Sequence, residues 1–166
     1  MSPAARGARR AAAKRPPARR TARTVVPTGV EARALPIARE LGRIARSSEG
    51  PRIKLEGALE ILFGAYASGD SQLADVLLDG WVRARRDKRY RLTMAWVREQ
   101  ARLSVEEILV EGVATGVFRP AVEPRAVAAA LLGAAEGALL HARDDGGVVD
   151  PPTLLRALVA LLVSEA

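Results

Sequence analysis

The sequence predicts an all-α protein, a bundle of five or six helices preceded by a disordered basic tail. Three observations predict this fold class. Apolar residues recur at spacings of three and four from about residue 30 onward. No segment alternates apolar and polar residues as a half-buried strand does. Clusters of Gly, Pro, Ser and Asp separate the periodic segments. With 49% hydrophobic residues among 166, the chain can form a core.

The first 28 residues differ from the rest in composition. They have no apolar periodicity before Val25 and contain four prolines, which predicts a disordered segment 1–28. Eight of the 26 basic residues lie there without an acid, and they are Arg6, Arg9, Arg10, Lys14, Arg15, Arg19, Arg20 and Arg23. The rest of the chain has 18 basic and 19 acidic residues and is nearly neutral, so the high isoelectric point of the chain results from the tail. These side chains could contact DNA phosphates without sequence preference. The alternative is that the segment is a solubilising or misannotated leader.

The helical pattern begins near residue 31. The segment 31–47 is amphipathic, although Pro36 is expected to interrupt or delay it, and a Ser-Ser-Glu-Gly-Pro break follows. The segment 51–67 has one apolar stripe and begins with proline, which the first turn of a helix tolerates. The segment 71–86 again places its apolar residues on one face.

The second half of the chain predicts three further helices. The longest pattern covers 89–116, and Gly116 is expected to close it in the left-handed conformation. The segment 124–142 opens with proline and consists largely of Ala and Gly, which close approach of another helix would explain. The last segment, 153–165, is rich in leucine on more than one side.

The chain lacks the residues that several kinds of catalytic and metal site require. The chain has no cysteine and one histidine, which leaves thiolate metal sites, cysteine nucleophiles and histidine-based sites without support. We therefore predict no enzyme activity, no catalytic residue, no metal and no cofactor. No apolar run is long enough to span a bilayer, and the N-terminus is not a secretory signal. These features predict a cytoplasmic protein without a membrane partner.

Four motifs resemble the C-terminal domain of tetracycline-repressor (TetR) family regulators. They are W-x-x-A-x-R-D at 81–87, E-G-x-x-x-G-x-F-R at 111–119, E-P-x-x-x-A at 123–128 and L-x-G-x-x-x-G at 131–137. The second motif, followed at once by the third, is the most specific part of the match. The resemblance covers about 35–166 and assigns 30–166 to one regulatory domain of the TetR type.

Members of this family usually begin with a helix-turn-helix DNA reader of three short helices. Its recurring features are not found before residue 31, where only the basic tail precedes the helical pattern. The resemblance therefore implies a regulatory domain without its DNA reader, or a chain whose true start codon lies upstream of the one given.

The resemblance also implies an effector pocket between the middle helices. Its candidate lining consists of the aromatic and large apolar residues on those helices, namely Phe63, Tyr66, Leu77, Trp81, Met94 and Trp96. Apolar walls of this kind suit a small apolar effector. The alternative is that the same residues only fill the core.

The last two helices imply a four-helix interface with a second copy, which predicts a homodimer. Small residues let helices approach closely, and a helix that is apolar on several sides needs more than one neighbour. The interface candidates are Ala130, Gly133, Ala134, Gly137, Leu155, Leu158 and Leu162. Burial of these residues within one subunit is the alternative.

Taken with the resemblance, the sequence predicts an effector-binding, dimeric domain of a transcriptional regulator that lacks a recognisable DNA reader. Two alternatives remain at this point. The chain could be an interaction protein that forms heterodimers with full-length relatives, or a protein that binds DNA non-specifically through its basic tail.

Overall fold

The computed structural model describes residues 29–67, 71–119, 123–141 and 150–163. They form six helices, which are α1 Val30–Ala45, α2 Pro51–Ala67, α3 Ser71–Ala84, α4 Lys88–Ala114, α5 Pro124–His141 and α6 Pro151–Ala160. Within these ranges the only β-type pairing is an isolated antiparallel bridge between Phe118 and Val163. The predicted all-α bundle is confirmed. The predicted tail 1–28 lies outside the described residues.

Helix α4 is the centre of the bundle. It packs against α1, α2, α3 and α5, while α6 packs against α2. The main core contains fully buried side chains such as Leu41 of α1, Leu59 and Phe63 of α2, and Ile108 of α4. Each of these helices therefore buries one apolar face, as the three-and-four spacing predicted. None of the helices in the described part of the chain is long and apolar enough to cross a membrane.

Pro36 lies inside α1 and does not interrupt it, so the expected interruption is wrong. A proline within a helix removes one backbone hydrogen bond and costs about 3 kcal/mol. The cost is offset by packing, because Ala34, Ala38 and Leu41 bury the opposite face of α1. The ring of Pro36 itself is exposed to solvent.

The turn after α4 explains the motif E-G-x-x-x-G-x-F-R. Gly116 has a φ of 74°, the left-handed conformation expected for it. The backbone N–H groups of Val117 and Phe118 both donate to the carbonyl oxygen of Gly112, at 2.8 and 3.0 Å. The Phe118 ring is thereby folded back onto α4 and is buried in the main core. A Cβ atom at Gly112 would lie 1.9 Å from Cδ2 of Phe118, so this position requires glycine.

The glutamate of the same motif ties α4 to α2. Nζ of Lys54 lies 2.7 Å from Oε2 of Glu111, and the lysine side chain is 6% exposed whereas that of Glu111 is 39% exposed. A lysine at such depth needs a carboxylate partner. One ion pair therefore joins the first turn of α2 to the last turn of α4, next to the turn that buries the Phe118 ring in the main core.

Helix α6 ends earlier than predicted. It begins at Pro151, where the Asp150 carboxylate accepts a hydrogen bond from the N–H of Thr153 at 2.9 Å. It stops at Ala160, so the predicted helix 153–165 is wrong over 161–163, and residues 164 and 165 lie outside the described residues. The reason is tertiary: the N–H of Arg119 donates to the carbonyl oxygen of Leu162 at 3.1 Å, which draws this segment into the bridge with the chain after α4.

Candidate functional site

Helices α1, α3 and α4 meet around a second hydrophobic cluster that is separate from the main core. Its buried members are Val30, Ala34, Leu77, Met94 and Val97. Gly80 makes the close approach of the helices possible, because a Cβ atom there would lie 2.7 Å from Cγ2 of Val30 and 2.9 Å from Sδ of Met94. This glycine lets α3 lie directly on α1 and α4.

A small cavity of about 20 Å³ lies against this cluster. Ala38 of α1, Ala101 of α4 and Leu132 of α5 complete its apolar walls. That volume is about the space of one water molecule, whereas pockets for drug-sized ligands measure roughly 300–1,000 Å³. An effector could enter here only if the surrounding helices moved apart.

One ion pair joins α4 to α5 at the cavity and supplies its charged lining. Nε of Arg98 donates to Oε1 of Glu136 at 2.6 Å, and Nη2 donates to Oε2 at 2.9 Å. The two partners differ in exposure: the Arg98 side chain is 50% exposed, but that of Glu136 is only 14% exposed. Arg98 can therefore turn out into water, whereas Glu136 would be left partly buried without a counterion.

The structure distributes the six predicted pocket residues over several environments. Leu77 and Met94 line the cavity, and Trp81 is half-buried against the same cluster. Phe63 lies in the main core, Trp96 is exposed, and the side chain of Tyr66 lies outside the described residues.

Sequence reasoning missed three residues of this site, which are Gly80, Arg98 and Glu136. A glycine in the interior of an amphipathic helix was the available signal for Gly80, because such a glycine costs stability unless a neighbour requires it. The pairing of Arg98 with Glu136 joins residues 38 positions apart, and no spacing rule predicts it.

The residues predicted to form the dimer interface also lie in different environments. Ala130 and Gly133 are exposed on α5, and ideal Cβ atoms at Gly133 and Gly137 would meet nothing within 4 Å. Ala134, Leu155 and Leu158 are half-buried against the main core, and Leu162 is buried. No neighbour within the described residues accounts for the small residues on the outer face of α5.

A wider groove of about 430 Å³ lies between α2 and α6. Leu155, Val159 and Val163 form its floor, and Arg52 and Arg156 are among its charged edges. Because this groove is broadly open to solvent, it would leave an apolar ligand largely in contact with water, unlike the cavity at α1, α3, α4 and α5.

Two further predictions concern the basic tail residues and metal binding. The eight basic tail residues predicted to contact phosphates lie outside the described residues. Within the described ranges, no group of three or more His, Cys, Asp or Glu side chains is placed to hold a metal ion.

Comparison with known proteins identifies the fold. No family model and no curated protein matches the sequence. Among solved structures, the chain is similar to a bacterial regulatory protein of the TetR family from Rhodococcus RHA1, with 14% identity, a TM-score of 0.61, and coverage of 82% of this chain and 74% of that chain.

It is also similar to a transcriptional regulator of the TetR/AcrR family from Thermobifida fusca YX-ER1. The identity is 19%, the TM-score 0.58, and the coverage 80% of this chain and 67% of that chain. The resemblance drawn from the four sequence motifs is thus confirmed at the level of the fold: the chain has a TetR-like fold.

Proposed function

We propose that this chain is the regulatory domain of a TetR-type transcriptional regulator, a cytoplasmic, non-enzymatic homodimer that responds to a small apolar effector. The observation that carries the proposal is the cavity between α1, α3, α4 and α5, where an apolar cluster meets a single charged pair within a TetR-like fold. The division into a tail 1–28 and a domain 30–166 is part of the same proposal.

The effector acts by separating helices that are now in contact. A ligand shifts an equilibrium only if it binds one state better than the other, and the collapsed cavity has room for about one water molecule. The effector therefore selects a state in which α1 has moved outward from α3 and α4. Because α1 is the first helix of the domain, its displacement is the change that a preceding segment would sense.

The ion pair at the cavity indicates the charge of the effector. A cationic group on the ligand can replace the guanidinium of Arg98, because Arg98 is half-exposed and returns to water. An anionic group would have to displace Glu136, which would then lie without a counterion in a partly buried position. We therefore expect an apolar amine to bind more tightly than a carboxylate of the same shape.

A thermal-shift panel tests this function. A ligand present at 100 times its dissociation constant stabilises the folded chain by about 2.7 kcal/mol. We expect apolar amines to raise the melting temperature, and Glu136→Gln to abolish that rise. Glu107→Gln removes an exposed carboxylate of α4 as the matched control and keeps the rise. No shift with any amine, or a shift that survives Glu136→Gln, would contradict the proposed site.

The dimer is proposed to form through α5 and α6. A two-fold interface is self-complementary, and the bare outer face at Gly133 and Gly137 permits close helix contact. Gly133→Leu should reduce the mass measured by light scattering, whereas Gly64→Leu, at another exposed helical glycine with open space around it, should not. An unchanged mass for Gly133→Leu would refute this contact.

Non-specific DNA binding through the tail is the second candidate function. The observation in its favour is the concentration of eight basic residues in 1–24, while the rest of the chain carries 18 basic and 19 acidic residues. If all eight contacted duplex DNA, log K would fall with log salt at a slope of about −7. Filter binding by the full chain and by a chain lacking 1–28 measures that slope; equal binding by both chains would exclude this role.

A further inference from the structure

The corner between α3 and α4 concentrates positive charge in the part of the chain that the structure describes. Residues 83–91 include six basic side chains and one acidic side chain. The rest of the chain after residue 24 has 12 basic and 18 acidic residues. The near neutrality of the chain beyond its tail is therefore the sum of a strongly basic corner and an acidic remainder. We call residues 83–91 the basic corner.

Five basic side chains of this corner have no counterion among the described residues. All five are exposed, and they are Arg85, Arg86, Lys88, Arg89 and Arg91. The carboxylates nearby are engaged elsewhere: that of Asp79 pairs with Arg83, with Oδ2 and Nε 2.7 Å apart, and that of Asp87 accepts a hydrogen bond from the N–H of Arg89 at 2.7 Å. The charge of the basic corner is therefore available to an external anion.

The placement of these charges is unfavourable for the stability of α4. Lys88, Arg89 and Arg91 lie in its first turn, which contains no acidic residue. The aligned peptide dipoles already place partial positive charge at the start of a helix, so cations there are repelled by the helix as well as by one another. A bound polyanion would remove this repulsion. The arrangement is thus explained by binding and not by folding.

The basic corner lies at the end of the bundle where α1 begins. Val30, the first residue of α1, packs in one cluster with Met94 of α4. Ala38, two turns further along α1, lines the same small cavity as Ala101, two turns further along α4. Helices α1 and α4 therefore run in the same direction and begin at the same end. The segment with the other eight basic residues, 1–24, precedes α1 and so joins the bundle at this end.

Duplex DNA is the polyanion that suits this surface best. Four of the five free side chains are arginine, whose guanidinium can hold a phosphate through two parallel N–H groups. The one aromatic ring, Tyr90, is not free to stack on an unpaired base, because the guanidinium of Arg83 lies 5.4 Å from its centroid and donates to its hydroxyl at 3.3 Å. Lys88, Arg89 and Arg91 spread over about 160° around the first turn of α4, so this turn offers no apolar side to a bilayer.

We propose that the basic corner binds the phosphate backbone of duplex DNA without sequence preference. The contacts come from its five side chains without a counterion. This surface belongs to the folded domain, so the proposal depends neither on the cavity nor on the tail contacts described above as the second candidate function. Each neutralised phosphate changes the slope of log K against log salt by about −0.9, so five contacts give a slope of about −4.5.

Filter binding of the full-length chain to one DNA duplex, at several salt concentrations, tests the basic corner. The triple variant Arg85→Gln, Arg86→Gln and Arg89→Gln should make the slope shallower by about 2.7, because three phosphate contacts are lost. The three side chains are exposed, and circular dichroism verifies that the variant is folded. An unchanged slope for the folded variant would overturn the proposal.

A matched control removes the same charge from other places. The triple variant Arg39→Gln, Arg46→Gln and Arg119→Gln changes three exposed arginines outside the basic corner and should keep the native slope. A loss of slope equal to that of the corner variant would overturn the proposal, because the net charge alone would then explain binding.

Two further measurements identify the polyanion and separate the basic corner from the tail. The native chain should bind the duplex more tightly than single-stranded DNA or phosphatidylserine vesicles at the same phosphate concentration; the reverse order would overturn the choice of duplex DNA. A full-length chain with all eight basic residues of 1–24 replaced by glutamine should still bind the duplex, with a slope of about −4.5. Absence of binding would overturn the proposal, whereas a slope equal to that of the native chain would support it and exclude the tail.

Discussion

Replacing Gly112 by alanine should destabilise the domain through one defined clash with Phe118. The added Cβ atom would lie 1.9, 2.2 and 2.8 Å from three atoms of the ring. To reach an ordinary carbon–carbon separation of about 3.5 Å, the ring has to move by roughly 1.6 Å. The N–H of Phe118 bonds to Gly112, and the N–H of the next residue, Arg119, bonds to Leu162, so the backbone opposes that movement.

The change in the free energy of unfolding expected for Gly112→Ala is the sum of two opposing effects. Overpacking of a rigid core costs up to about 3 kcal/mol, and replacing a helical glycine by alanine gains about 1 kcal/mol. We therefore expect Gly112→Ala to cost about 2 kcal/mol. Phe118→Ala, which removes a fully buried ring, should cost about 3–5 kcal/mol.

The double variant separates this clash from a general loss of stability. Without the ring, the new Cβ atom at Gly112 enters free space, so Gly112→Ala should then stabilise the Phe118→Ala chain by about 1 kcal/mol. The expected coupling between the two sites is about 3 kcal/mol. Urea unfolding followed by circular dichroism, at one protein concentration, measures all four chains.

Gly64→Ala is the matched control for this series. Gly64 lies in α2 with nothing within 4 Å of an added Cβ atom, so its replacement should stabilise by up to about 1 kcal/mol. If Gly112→Ala behaved like Gly64→Ala, or if the two effects at Gly112 and Phe118 added within about 0.5 kcal/mol, the proposed clash would be refuted.

Three further predictions concern other contacts. Glu111→Ala should cost about 3 kcal/mol in urea unfolding, because it leaves buried Lys54 without a counterion, whereas Lys54→Met should be near neutral; equal costs would contradict this. The hydrogen bonds from Thr153 lower the pKa of Asp150, so its contribution to stability is present above about pH 4 and is lost below it. The melting temperatures of the native and Asp150→Asn chains should therefore converge as the pH falls; a constant difference would exclude this. Gly116→Ala should lower the free energy of unfolding by about 1 kcal/mol in urea unfolding, because alanine disfavours a φ of 74°. An unchanged free energy of unfolding would refute the claim that this position requires glycine.

The order of the helices and several of their ends could be read from the sequence because the signals are local. Pro51 and Pro124 open helices, and Gly116 closes one, through backbone preferences that act within a single turn. The end of α6 could not be read in this way. It depends on a hydrogen bond between Arg119 and Leu162, which are separated by two helices along the chain.

The apolar pattern of α4 is the clearest case in which sequence reasoning stops short. Leu103 and Ile108 both belong to its apolar periodicity, yet Ile108 is fully buried and Leu103 is exposed. A central helix contacts neighbours on several sides, so periodicity alone cannot tell which apolar positions face them. Met94 and Trp96 were both predicted to line the pocket, but two residues apart they lie about 200° apart around the helix. Only one of them can therefore face the cavity: Met94 lines it, and Trp96 is exposed.

The central claim is that the cavity between α1, α3, α4 and α5 opens to admit a ligand whose cationic group replaces Arg98 beside Glu136. The most direct measurement is a crystal structure with the apolar amine that gives the largest thermal shift. We predict that its ammonium group lies against the carboxylate of Glu136, with Arg98 turned into solvent and α1 displaced outward. Ligand bound in the groove between α2 and α6, with the Arg98–Glu136 pair intact, would contradict the claim.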